Sequence, residues 1–423
     1  MSFMIKKTIK AAYTNFLSSS MFFSAVAAAT LMTTSAQATI NCAGYLPNSY
    51  FERIENNNER FADKLVTLED NSQQLQDLNG NILLAGLTDA YALMNKYLIA
   101  SKDTAKGKKT GVVNAAGEII VPFAYDAIAT EPDIYTSFIV NVTMPDGATN
   151  QGIIDRDGYW VYPAIKNNER QQQRRIDNGY GDYSDTRPTQ RCVKAVDAPL
   201  NLTAAAISHA HYDSDDDRDY FLINALGDAS TIGKIGLLND QGKWVIAQQY
   251  EDLQPLNACA GQLLYLQAVS TSSLSLDKVE TQQQTALLDQ NANIIIPFAP
   301  NQNIELFNNW VSNNGDHSLL FLSSTLIKGS IATGLTQDIE DNIVSAQIID
   351  SKGKLILASE AAIVKLLYHQ FYAYKRDGKF GFIDDQANIV LEPQFDSYRD
   401  EGDKVWVEKS GEMVRLNTLI ELD

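Results

Sequence analysis

The chain has 423 residues, 45% of them hydrophobic, and a formal net charge of −18. That apolar content excludes a disordered chain, and that length allows a sizeable core. An acidic surface repels nucleic acid and anionic lipid, so the expected partners are proteins or glycans that are neutral or cationic where they touch.

Residues 1–38 read as a secretory signal peptide. Lys6, Lys7 and Lys10 open the segment, no acidic residue occurs in it, and an apolar, small-residue stretch runs around 21–32. It closes on Ala36-Gln37-Ala38, so cleavage is expected between Ala38 and Thr39. The uninterrupted apolar core is shorter than the ~20 residues that span a bilayer. No second long apolar segment occurs, so the mature chain is expected without a transmembrane segment, in the periplasm or the extracellular medium. Losing the three signal lysines leaves 31 Lys and Arg against 52 Asp and Glu, a net of −21. Cys42, Cys192 and Cys259 would then sit in an oxidising compartment. One internal disulfide is possible, with three pairings. Cys192–Cys259 is preferred, because both lie in the body of the chain while Cys42 is near a terminus. Residues 39–64 form a lead-in. Phe51, Ile54, Phe61, Leu65 and Val66 give its neighbourhood a partial helical spacing, expected as a cap on the body of the chain.

From 65 to 423 one short pattern recurs about seven times. Clear copies are GVVNAAGEIIVP (111–122), GIIDRDGYWVYP (152–163), GLLNDQGKWVIA (236–247) and GFIDDQANIVLEP (381–393). Each has a glycine, an apolar run, Asp or Asn, a tight turn and a second apolar run, often with proline. Two short runs rich in Val, Ile and Leu around turn residues read as a hairpin. Asn114 with Gly117, Asp155 with Gly158, Asn239 with Gly242, Asp350 with Gly353 and Asp77 with Gly80 supply the turn. The Asp or Asn side chain bonds backbone, and the Gly accepts a left-handed conformation. Asp289 and Asp384 have Ala-Asn where the others have Gly, and Asn tolerates the left-handed region. A third strand precedes most copies, for example YLIAS at 97–101 and FYAYK at 371–375. The closing proline is expected to end a central strand. The shortest spacings between turns suggest a unit of about 35–42 residues, in the range of repeat arrays. The expected fold is all-β, a tandem array of short three-stranded units stacked as an open solenoid-like series. A closed propeller-like ring is the alternative. Two polar insertions interrupt it, at 166–191 and 270–284, and a half unit ends it at 409–422.

The unit resembles the WG repeat, or KWG repeat, whose core runs Lys-aromatic-Gly-apolar-Ile-Asp, a turn, apolar residues, Pro and then Tyr-Asp. Lys379-Phe380-Gly381-Phe382-Ile383-Asp384 with Pro393, Phe395 and Asp396 matches best. Lys109-Thr110-Gly111 with Pro122, Tyr125 and Asp126 comes second, then Lys234-Ile235-Gly236 with Tyr250 and Glu251. No copy keeps the Trp; Phe, Ile, Thr or Gln stands there. The resemblance covers about 65–423 and implies an all-β repeat fold.

One stretch has the residue types of a metal site: HAHYDSDDDRDY, 209–220. His209 and His211 are expected on one face of a strand. His209-x-His211-x-Asp213 is similar to the opening of a metallo-β-lactamase-type motif, but Ser214 stands where a second-metal His belongs. Zinc catalysis needs about three protein ligands and an open position. Asp213, Asp215 and Asp217 alternate as in a calcium loop, but Arg218 replaces its Gly and Asn224 its bidentate Glu. No metal, cofactor or catalytic residue is therefore expected. An exported, non-enzymatic scaffold or interaction protein is favoured, with Arg170, Arg174, Arg175, Tyr180 and Tyr183 of the 166–191 insertion as candidate contacts. A metal-dependent hydrolase centred on His209–Asp219 is the alternative.

Overall fold

The computed structural model describes residues 64–92, 97–129, 137–164, 193–213, 218–226, 233–257, 263–273, 281–311, 317–326, 343–366 and 371–420. The signal segment with its Ala38–Thr39 junction, residues 39–63, all three cysteines with the Cys192–Cys259 pairing, the 166–191 insertion and residues 274–280 lie outside them.

Among the described residues the chain is built of antiparallel strands and one short 3-10 turn at Leu416–Thr418. The strands form eight consecutive meanders, here called units 1 to 8: 65–87, 89–125, 127–162, 203–250, 252–300, 302–359, 364–395 and 397–415. Unit 2 shows the pattern. Its strands Asp89–Ala92, Tyr97–Thr104, Gly107–Asn114 and Ile119–Tyr125 pair in chain order. Most units thus gain a fourth strand beyond the three expected: the chain leaving the Pro-containing strand pairs again at once, as the first strand of the next unit. Units 1 and 8 have three strands. Units 3 and 4 merge into one sheet, because Thr149–Asp155 also pairs Thr203–Asp213.

The hairpin turns recur in all seven expected copies. In each, the turn Asp or Asn accepts two backbone N–H bonds at its Oδ1, from residues two and four positions on, at 2.8–3.1 Å. Its carbonyl accepts the N–H of the third residue after it. That third residue has positive φ, 81° at Gly117 and 66° and 63° at Ala292 and Ala387. The left-handed position therefore falls on the alanine, not on the asparagine beside it. Asn293 and Asn388 instead donate from Nδ2 to the turn aspartate's second oxygen, at 2.8 and 2.9 Å.

The proline lies inside an outermost strand rather than at the end of a central one. Pro122 is within Ile119–Tyr125, an edge strand, where a missing N–H interrupts no ladder. The register slips there: Val112 faces Val121 but Thr110 faces Tyr125. Unit 7 slips in the same way around Pro393, and unit 5 slips around Pro297 with Leu287 facing Ile296 and Thr285 facing Ala299. The bulge packs its backbone onto the motif glycine. A Cβ on Gly111 would lie 2.7 Å from Val121 O, and one on Gly381 2.8 Å from Leu391 O. This glycine is needed for close approach, not for its dihedral angles.

Among the described residues the apolar side chains form seven clusters, and each joins two successive units. Ile99, Val112 and Tyr125 of unit 2 pack with Phe138, Val140 and Ile154 of unit 3. Phe382 and Phe395 of unit 7 pack with Val405, Val407 and Leu416 near the end of the chain. The principal contacts between sheets likewise join sheets that are adjacent in the sequence. The architecture is an all-β repeat array whose core lies between units.

Candidate functional site

Three arrangements stand out: a lysine–acid clamp between units, the His209–Asp219 pair, and a repeated row of apolar residues along the outer edges.

The clamp is built from the residues that frame the WG-like motif. Lys109 pairs with Asp126, Lys234 with Glu251 at 2.5 Å, and Lys379 with Asp396. Lys109 and Lys379 sit on the third strand of their units, Lys234 immediately before it, and the acid comes just after the outer strand. The acid also reaches the next unit: Asp126 Oδ2 accepts the Thr143 N–H at 2.7 Å and Asp396 Oδ2 that of Ser410 at 2.9 Å. Burial raises the Asp126 pKa, but Lys109 and the Thr143 amide outweigh it and hold the carboxyl below its ordinary 3.8. Lys379 and Ser410 lower Asp396 likewise. At Glu251, burial again opposes and Lys234 prevails. The position of the missing Trp is half-buried opposite the outer-strand aromatic, Thr110 facing Tyr125 and Phe380 facing Phe395. Half-burial lets residues of different size stand there.

The strands Thr203–Asp213 and Arg218–Ala225 place His209 against Asp219, with Nε2 and Oδ1 2.9 Å apart and the Asp219 side chain 2% exposed. The Phe221 ring lies edge-on to the imidazole at 5.6 Å. The register slips between His209 and His211. Residues 214–217 lie outside the described part. Among the described residues no group of three or more His, Cys, Asp and Glu converges.

The row occupies the first position of the outer strand. Ile82 is 58% exposed, Ile119 40%, Ile294 57%, Leu355 51% and Ile389 42%. Isoleucine and leucine at one position of five repeated units form an ordered apolar feature, not scattered surface residues. Units 3 and 4 differ. In unit 4 the position is Trp244, which is half-buried. In unit 3 Trp160 holds the position and is only 2% exposed. Residues 193–202 cross it: Lys194 bridges Tyr159 in antiparallel fashion, and Trp160 Nε1 donates to Ala198 O at 2.9 Å. Ala195 is fully buried in the cluster of units 2 and 3. Sequence reading placed these residues in the second strand of each hairpin. The signal for the row was their recurrence just after the turn, read only as β-propensity.

No match was found among curated proteins. Solved structures give distant likenesses. A eukaryotic initiation factor has 8% identity over 82% of this chain and 83% of that chain, with a TM-score of 0.28. The tricorn protease has 10% identity over 82% of this chain and 37% of its own, with a TM-score of 0.26. An uncharacterized protein from Listeria monocytogenes EGD-e has 10% identity over 76% and 91%, with a TM-score of 0.22. Scores this low carry no argument. The model of the WG containing repeat matches residues 111–130 and 380–412, spans that hold the turns and the clamp acids of units 2 and 7, so these two segments are WG repeats.

Proposed function

We propose that this chain is an exported, non-enzymatic scaffold whose repeats present one surface several times to a protein partner. The observation that carries the reading is the exposed Ile or Leu at one position of units 1, 2, 5, 6 and 7. A monomer has no use for five apolar side chains repeated at one position in water, and a binding surface does. The acidic net charge favours a cationic approach, and the basic, Tyr-bearing 166–191 insertion supplies a second, oppositely charged contact region. His209 and Asp219 are read as a strand-to-strand contact, since each satisfies the other across a register slip. The test is capture from an envelope extract by the immobilised mature chain, with and without residues 168–188. The deletion is expected to leave circular dichroism unchanged and to reduce capture, in a salt-dependent way. Stoichiometric zinc lost in a His209→Ala, His211→Ala double variant would favour the hydrolase instead.

A further inference from the structure

We propose that the outer edge of the open units, with unit 2 as the best case, takes an extended peptide of a partner polypeptide as an added β-strand, with an apolar–cationic–apolar pattern. This rests on the interaction reading above and specifies its mode and its ligand.

The chain itself supplies the template. In unit 3, Val193-Lys194-Ala195 lies along the start of the outer strand. Trp160 N–H donates to Val193 O at 3.1 Å, and Ala195 N–H donates to Gly158 O at 2.7 Å. Ala195 is fully buried and Val193 partly, while Lys194 turns outward with Nζ 5.5 Å from the centre of the Tyr159 ring. This is strand addition: main-chain bonds hold the segment, and alternate side chains fill or leave the apolar surface.

The same backbone groups recur in the open units. The turn Asn114 donates its N–H to Glu118 O at 3.0 Å, so these two form a hydrogen-bonded pair. In an antiparallel ladder the next pair, Val113 with Ile119, is non-bonded, and it turns the Ile119 N–H and C=O away from the sheet. The bond from Asp155 N–H to Tyr159 O and the pair Ile154 with Trp160 do the same in unit 3. Asp289 with Asn293 and Asp384 with Asn388 repeat it in units 5 and 7. What differs is cover. Trp160 beneath its strap is 2% exposed, whereas Ile119, without one, is 40% exposed. Unpaired main-chain groups beside apolar side chains are a template for pairing, here over the short stretch between Glu118 and the bulge at Pro122.

Charge selects the peptide. The Lys194 position faces Tyr159 in unit 3; the matching residue in unit 2 is Glu118, and in unit 6 it is Lys354. A basic residue in the middle of the strand is therefore favoured at unit 2 and disfavoured at unit 6.

The test uses the full mature chain and a fluorescent peptide of sequence Val-Lys-Ala-Val-Asp-Ala, with binding read by polarisation. Saturable binding is expected. N-methylation of the first Ala amide, Ile119→Lys and Glu118→Lys are each expected to weaken it at least threefold, with circular dichroism unchanged. Lys354→Glu is expected to add binding. No saturation at millimolar protein, or full binding of the N-methylated peptide, would overturn strand addition. Dimerisation of the chain that Ile119→Lys abolishes would make the occupant a second copy and overturn the partner claim. Peptide failure with partner capture retained removes this edge but leaves the scaffold; loss of capture removes the scaffold itself.

Discussion

At the scale of single residues, the turns separate two reasons for glycine. At Gly80 and Gly117 φ is 81°, but a Cβ on Gly80 meets nothing within 4 Å, while one on Gly117 would lie 2.8 Å from the Leu83 Cβ of the preceding unit. Gly80→Ala should cost about 1 kcal/mol from backbone strain, and Gly117→Val clearly more, because overpacking adds to it. The reverse change is informative too. Ala292 is exposed at φ 66°, so Ala292→Gly should stabilise by about 0.5–1 kcal/mol. Ala387 at φ 63° is 7% exposed in a core cluster, and the lost methyl contacts should offset that gain. Urea unfolding of the four variants checks all of these. The clamps predict a pH response. Asp126, Glu251 and Asp396 have depressed pKa values in the fold, so their contribution is complete above their ordinary values of 3.8 and 4.5. It is lost as pH falls through the lower folded values. Asp126→Ala should flatten that acid limb and cost about 1 kcal/mol at pH 7, measured by urea titration across pH 3–7.

At the scale of elements, the hairpins were legible because their chemistry is local. Asp or Asn and a left-handed residue three positions on specify a turn without reference to the rest of the chain. The fourth strand of the unit was not legible. Asp89–Ala92 and Ala127–Ala129 are too short for a periodicity, and they are strands only because the next strand lies beside them. The role of proline was misread for a related reason. Sequence shows that Pro122 comes after an apolar run, but not that this run is the sheet edge. His209 and His211 show the same limit: alternation assumes an unbroken register, and the pairing with the partner strand slips between them. The lysine–acid pair was visible as motif letters 17 residues apart, yet its function as a link to Thr143 or Ser410 needs the next unit. At this scale Trp160→Phe should cost about 2–3 kcal/mol, because it removes both the donor to Ala198 O and part of a buried indole packed at Gly152. Its melting temperature against the parent is the measurement.

For the whole molecule, the series of stacked units was legible in the recurrence of one hairpin, and the eight units, in seven sheets among the described residues, match that expectation with their sequence-adjacent contacts. Terminating the chain after residue 396 should strip Val405, Val407 and Leu416 from Phe382 and Phe395. At about 1.5–3 kcal/mol per large buried side chain, the loss is on the order of 5 kcal/mol, confined to the last layers. Hydrogen exchange should show units 6 and 7 loosened and units 2 to 4 unchanged. The export reading predicts a mature chain that begins at Thr39, which mass spectrometry of the N-terminus decides.

The sharing of every apolar cluster between two units has a consequence for how the chain acquires its structure. No unit owns a core, so one that has just emerged during synthesis or translocation has half an interface and cannot hold its shape. It becomes stable only when its successor arrives about 35–60 residues later. Order should therefore advance along the chain with a lag of one unit. The leading unit would keep its wet, unsealed apolar face turned toward the part of the chain still to come.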